Sequence, residues 1–444
     1  ISPEIQYIKE RRQALGGSVP RRRSQVSVPD LPPKESFTKL LGGTEGSVPA
    51  STTMAFARLF RDLLKAGDLG KRIVPILADE ARTFGMEALF KQVGIYTPGG
   101  QSYEPVDHNL LFSYTERKDG QILQEGITEC GSLASTIASS TSYSTIGEVT
   151  VPFFIFYSMF GFQRVGDQIW AMGDARGRGF LLGATAGRTT LNGEGLQHQD
   201  GHSPLMAATF PSCLSYDPAY AYEVAILIEE GLRRMVQEQE DIHYYLTLYN
   251  ENLEMPAMPE GSKEGILEGM YLLAPAPEGD GPEIRLLGSG SALPRVRSVA
   301  RQLLDDHGIR AQVWSVTSYS ELQREAIEVD RWNLNNPSTE QKLTRVEERL
   351  PGSDIPVLAV TEYVRALPDL IRPWVSAPWA SLGTDGYGRS DTREELRKHF
   401  ETDEASIEIA ALSLLSRQGK IKGEQVSAAQ TRHGRDPGTP APWL

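Results

Sequence analysis

Three apolar runs, each too short for a helix, constrain this chain more than any other feature: RIVPILAD (Arg72–Asp79), VPFFIFYSMF (Val151–Phe160) and DIHYYLTLY (Asp241–Tyr249). A run of roughly 4–8 apolar residues without polar alternation reads as a strand buried on both faces. Between the runs lie stretches with helical spacing. TMAFARLFRDLLKAG (Thr53–Gly67) has Ser51 or Thr52 as a cap and Gly67 as a stop, and ECGSLASTIASSTS (Glu129–Ser142) is built of small residues that permit close helix packing. Strands alternating with helices predict an α/β unit with a mostly parallel sheet. After the Pro- and Gly-rich segments at Met255–Gly265 and Pro275–Pro282 the pattern starts again. EIRLLGS, AQVWSVTS and PVLAVTEY are its strands; ALPRVRSVARQLLDD, TREELRKHF and ASIEIAALSLLSR are its helices. The expectation is two consecutive α/β domains: residues 51–258 and 259–444, preceded by a helix and a Pro- and Arg-rich connector over residues 1–50. The tail beyond Gln430 is polar and Pro-rich, and is expected to fray.

At 444 residues the chain is too long for one ordinary core. A formal charge of −13 argues against nucleic acid or an anionic membrane as the main partner. The basic run Arg21–Arg23 reads as solvated linker. Two cysteines, Cys130 and Cys213, stand in no metal spacing, which suits a reducing cytoplasm. No apolar run approaches the ~18 residues of a membrane span. Ile1 stands where a start Met is expected, so the chain is expected to be processed or part of something longer.

Three local patterns imitate nucleotide or metal motifs. GATAGRTT (Gly183–Thr190) is one residue short of a phosphate loop and carries Arg188 where that loop needs Lys. GSGSAL (Gly288–Leu293) lacks the third glycine of a dinucleotide fingerprint and reads as a tight strand-to-helix turn. Gly279-Asp280-Gly281 sits in a Pro-rich loop with no Asn until Asn333. His198 and His202 are four apart, but glycines surround them and no third ligand is near, so no metal site is expected in the chain.

Six segments carry a different signal: LQEGITE (Leu123–Glu129), YSMFGFQR (Tyr157–Arg164), LNGEGLQHQDGHS (Leu191–Ser203), ILADEARTFGMEALF (Ile76–Phe90), SYDPAYAYEVA (Ser215–Ala225) and GTDGYGRSDTREELRKHF (Gly383–Phe400). Together they closely resemble the homodimeric, bacterial-type pyruvate dehydrogenase component, a thiamine-diphosphate family of the transketolase superfamily. The resemblance covers the pyrimidine-binding and C-terminal domains. It implies that Glu129 hydrogen-bonds the aminopyrimidine, that Phe160 stacks on it, and that His198 faces the substrate carbonyl as proton donor. Tyr157 lies at the same strand end, and Glu80 and Asp79 resemble acids lining the cavity, Glu80 nearer the reacting centre and Asp79 orienting loops. His202 is supporting.

The resemblance further implies decarboxylation of pyruvate and reductive acetylation of the lipoyl group of dihydrolipoyl acetyltransferase by a homodimer. Thiamine diphosphate is the implied cofactor, with Mg held by a diphosphate-binding half that this chain lacks. Alone, the chain is expected to be inactive. The alternatives are a transketolase-like or other 2-oxo acid dehydrogenase, and a non-catalytic module that retains the fold.

Overall fold

The computed structural model describes residues 1–14, 16–17, 23–44, 48–78 and 81–443. The first unit centres on six parallel strands: β1 (Ile73–Leu77), β2 (Leu123–Gln124), β3 (Val151–Tyr157), β4 (Phe180–Ala184), β5 (Cys213–Tyr216) and β6 (His243–Thr247). Their order is β2-β1-β3-β4-β6-β5, every pairing parallel. The lack of polar alternation in β3 has a direct cause. Phe153 and Ile155 pack with the cluster on one face, Phe154 and Phe156 with the cluster on the other, so both pleat directions are dry. Phe153 stacks on Phe180 of β4 with ring centroids 4.4 Å apart.

The N-terminal helix α1 (Pro3–Ala14) has no buried residue. Arg21 and Arg22 lie outside the described residues. The connector beyond them runs extended over the first unit, Val26 exchanging main-chain bonds with the Gln239 side chain at 3.0 and 3.1 Å. Helix α2 (Thr52–Leu63) is capped by the Ser51 hydroxyl, which accepts from Met54 N at 3.1 Å. It stops before Gly67, and Gly67, at φ +54°, opens the next short helix instead of closing this one. Helix α3 (Glu129–Ser140) follows β2, α4 (Phe162–Asp174) follows β3, and α5 (Ser203–Ala207) precedes β5.

The second unit has five strands: β7 (Met270–Ala274), β8 (Glu283–Gly288), β9 (Arg310–Val316), β10 (Val357–Val360) and β11 (Trp379–Leu382). Their order is β11-β10-β8-β9-β7, parallel except for the antiparallel edge pair β9/β7. The fold is two consecutive α/β domains with predominantly parallel sheets. GSGSAL is the turn from β8 through a 3₁₀ segment into α6 (Leu293–His307). GATAGRTT leaves β4 without opening a helix, so no phosphate loop forms.

The C-terminal tail is anchored where fraying is expected. Helix α7 (Gly423–Arg432) runs past Gln430, Arg435 pairs with Asp403, and the Arg365 guanidinium lies 4.6 Å over the Trp443 ring. Among the described residues no helix is long and apolar enough to cross a membrane.

Asp217, at the end of β5, ties the two units together. Its N–H donates to Thr317 O (2.7 Å), and its Oδ1 accepts from Thr247 Oγ1 (2.6 Å) and from the Tyr249 hydroxyl. Gly290 comes so close, at φ +48°, that a Cβ there would meet Tyr249 Oη at 2.3 Å. Among the described residues Asp217 Oδ2 has no hydrogen-bond partner. Burial, against the bonds from Thr247 and Tyr249, pushes this carboxyl from 3.8 up to about 6. The folded chain therefore holds the proton more tightly than the unfolded one. Its stabilising contribution is full below 3.8 and is lost as pH rises through about 6. Asp217→Asn is expected to remove that decline and to raise stability at pH 7 by on the order of 2 kcal/mol. Thermal melting of both proteins from pH 4 to 8 checks it; parallel curves would mean that the carboxyl is hydrated.

Candidate functional site

Strands β1 and β3 are neighbours whose onward connections run to opposite sides of the sheet, β1 toward β2 and β3 toward β4. Such a switch point opens a crevice beyond the carboxyl ends of the strands, where ligands of α/β folds bind. The apolar run suggests a strand that ends at Phe160, but Tyr157 closes β3 and Phe160 lies on the 3₁₀ turn Ser158–Phe160 just past it. The Tyr157 ring stacks on His198 (centroids 4.9 Å, 29°), and Phe160 meets the same imidazole edge-on (5.5 Å, 65°). Phe84 meets Tyr157 edge-on at 5.3 Å. His198 is thus held by two aromatic rings. Its Nδ1 is buried and has no hydrogen-bond partner among the described residues, Glu194 Oε2 standing 3.7 Å away.

Glu129 occupies the first turn of α3, whose N-cap Thr128 accepts from Gly131 N at 3.2 Å. Its side chain is 6% exposed, as expected once a helix of small residues packs down. A counter-charge comes from an unexpected place: Arg164 Nη1 donates to Glu129 Oε2 at 2.8 Å, and its guanidinium carbon lies 4.1 Å over the Phe160 ring. Four of the expected residues, Glu129, Tyr157, Phe160 and His198, therefore form one continuous cluster, linked through Arg164. Asp79 and Glu80 lie outside the described residues.

Sequence reasoning missed what holds the His198 loop. Asp200, buried, accepts at Oδ1 from His202 N and Ser203 N (both 3.0 Å) and so caps α5. Gln163 Nε2 donates to the same oxygen at 2.8 Å, fastening the loop to the turn that carries Phe160. The His202 contribution is this main-chain bond. From the second unit, Arg389 N donates to Gln199 Oε1 at 2.8 Å, and Thr384 O and Gly386 O (2.5 Å) accept from Arg188 Nη1 of the first unit. The signal for Asp200 was present as an Asp three residues before Ser-Pro, a helix-start pattern; the Gln163 and Arg188 contacts leave no local trace.

Among the described residues no group of three or more His, Cys, Asp or Glu could hold a metal ion. A cavity of about 730 Å³ lies away from this cluster, between α7, Lys398–Glu401 and the tail at Arg435–Pro442. The crevice is the better candidate because rings, a carboxylate and an imidazole converge there.

Residues 26–256 match the pyruvate dehydrogenase E1 component middle domain, and residues 269–403 the transketolase-like C-terminal domain. The chain belongs to the pyruvate dehydrogenase E1 component family. It is 52% identical to the pyruvate dehydrogenase E1 component of Pseudomonas aeruginosa over 98% of this chain and 49% of that protein. The E1 component of Escherichia coli K12 is 48% identical, again over 98% and 49%. The chain spans about half the length of the curated relatives it matches. Among solved structures, transketolase from Leishmania mexicana superposes with a TM-score of 0.64 at 16% identity, over 93% of this chain and 51% of that one. A split-gene transketolase, an inactive β4 tetramer, gives 0.54 at 15% identity over 83% of this chain and 99% of that one. At such identities the likeness is one of fold. The first unit corresponds to the E1 middle domain.

Proposed function

We propose that this chain supplies the pyrimidine-side half of a pyruvate dehydrogenase active site, with residues 51–258 as the pyrimidine-binding domain and 259–444 as the C-terminal domain. The single observation that carries this is the convergence of Glu129, Phe160, Tyr157 and His198 at the β1/β3 switch point of an E1-family chain. Those residues fit thiamine diphosphate. An aromatic face, a nearly buried carboxylate and a buried imidazole nitrogen with no partner among the described residues are groups that a flat, hydrogen-bonding ring and a polar substrate would engage. When bound, the cofactor supplies a carbanion equivalent and an electron sink for loss of CO₂ from a 2-oxo acid.

The chain's own residues set orientation and proton state. Glu129 holds or releases a proton at one carboxylate oxygen, Phe160 offers a face for stacking, and His198 donates a proton to the pyruvate carbonyl oxygen. Tyr157 fixes the imidazole plane through its stack. Mg and the diphosphate belong to a separate half, the assembly is a homodimer, and the acetyl group passes to the lipoyl domain of dihydrolipoyl acetyltransferase. The 46–52% identities to E1 components favour this over a transketolase-like activity.

Calorimetric titration of thiamine diphosphate with Mg into the purified chain, then into the chain mixed with a diphosphate-binding half, tests the reading. Binding and pyruvate decarboxylation are expected only in the mixture. No binding in either would leave a non-catalytic module, and full turnover by the chain alone would overturn the half-site assignment.

A further inference from the structure

We propose that Arg188 is a positioning residue for His198: it clamps the His198 loop against the second unit and so sets where the imidazole stands. The inference rests on the reading above, because it takes His198 as the group that meets the substrate carbonyl. Arg188 comes from GATAGRTT, the loop that leaves β4 without forming a phosphate site. Its guanidinium lies directly against Gly201, just past His198, where a Cβ would collide with Arg188 Cζ and Nη2. From there Nη1 donates to two main-chain oxygens of the second unit, Thr384 O and Gly386 O. The same seam is closed by Val364 N, which donates to Gly201 O at 2.7 Å, and by Gly193 N, which donates to Asp391 O at 2.9 Å. The loop is thus fastened to the second unit on both sides of His198.

Stability alone does not account for a cation in this place. Arg188 is 4% exposed, and its Nε has no hydrogen-bond partner among the described residues. Burial holds the guanidinium below its ordinary value, against the pull of Asp200 in the His198 loop and Asp385 in the facing loop. A buried arginine bonded to carbonyl oxygens recovers little of its desolvation cost. What it supplies is reach, from one loop, across a second, to a third. That reach matters because the imidazole is held from two directions. Its rings, Tyr157 and Phe160, belong to the first unit, whereas Gly193 and Gly201 on either side of it are tied to the second. A loop displaced by about 1 Å would carry the imidazole off those rings, and a misplacement of that size costs about 10²-fold in rate.

The test follows pyruvate decarboxylation, and thiamine diphosphate binding with Mg, by the chain mixed with the diphosphate-binding half. Arg188→Met is expected to lower kcat by about 10- to 100-fold, while KM for pyruvate and Kd for thiamine diphosphate change by less than about threefold. The deciding readout is His198→Gln, alone and combined with Arg188→Met. If Arg188 acts through His198, the double variant turns over as slowly as His198→Gln and no slower. An arginine with a merely structural role would slow both backgrounds by the same factor. That result, or an unchanged kcat in Arg188→Met, overturns the proposal and leaves the half-site reading intact. Full activity of His198→Gln, or no thiamine diphosphate binding by any protein including the wild type, overturns both. Should Arg188→Met melt early, Arg188→Lys, which keeps the charge on a shorter and non-planar head, decides by the same comparison.

Discussion

Replacing Glu129 by Gln should lower turnover of the complemented enzyme by about 10²- to 10⁴-fold, the range for loss of a positioned proton-transfer group. Melting temperature and circular dichroism should barely change. The two halves of that statement have different origins. Gln keeps the length of the side chain and an oxygen to accept from Arg164 Nη1, so the packing at the start of α3 survives. The cation left without its carboxylate is 47% exposed and can be hydrated, so the stability change should stay within about 1 kcal/mol. What Gln cannot do is hold or release a proton at that position. A non-catalytic module would show no change in the function of the complex carrying Glu129→Gln, and that result would end the enzymatic reading.

The strands legible in the sequence are those whose burial on both faces leaves an uninterrupted apolar run, β3 above all. Others were silent for physical reasons. β5 is Cys-Leu-Ser-Tyr, too short and mixed to stand out, although all four residues are buried. β7 is an antiparallel edge with an exposed Leu272, so it has no two-sided burial to report. Gly67 looked like a helix stop because the terminating geometry, set by Leu63 and Leu64 packing into the core, is tertiary. The tail was misread for the same reason: Arg435–Asp403 and Trp443–Arg365 join residues far apart in sequence. At the crevice, Glu129, Tyr157, Phe160 and His198 lie inside segments with strong family wording. The Arg164–Glu129 pair does not show, because nothing local distinguishes an arginine that reaches back 35 positions from one that points into water.

The same Glu→Gln change at Glu362 should act on stability instead. Glu362 is fully buried between the units. Arg295 Nη2 donates to its Oε1 at 2.6 Å, and Thr189 Oγ1 to its Oε2 at 2.7 Å. Thr189 belongs to the loop that leaves β4, Arg295 to α6, and Glu362 follows β10, so three elements meet on one carboxylate. Burial would raise its pKa, but the Arg295 and Arg397 guanidinium groups overcome that and hold it down at about 2, from 4.5. A depressed folded-state value means that this contribution is present above pH 4.5 and is lost as pH falls through about 2, the opposite sense to Asp217. Glu362→Gln leaves Arg295 charged and dry, and breaking a buried pair from one side costs about 3–5 kcal/mol. Replacing both partners, Glu362→Gln with Arg295→Met, should recover much of that loss, because no stranded charge remains. Melting curves of the single and double variants at pH 7 decide it. If the single variant loses less than about 1 kcal/mol, water reaches Arg295 and the joint is looser than its burial implies. The contrast with Glu129 follows from where the arginine ends: Arg164 opens to solvent and Arg295 does not, so the first carboxylate is free to serve a ligand while the second is committed to holding the two units together.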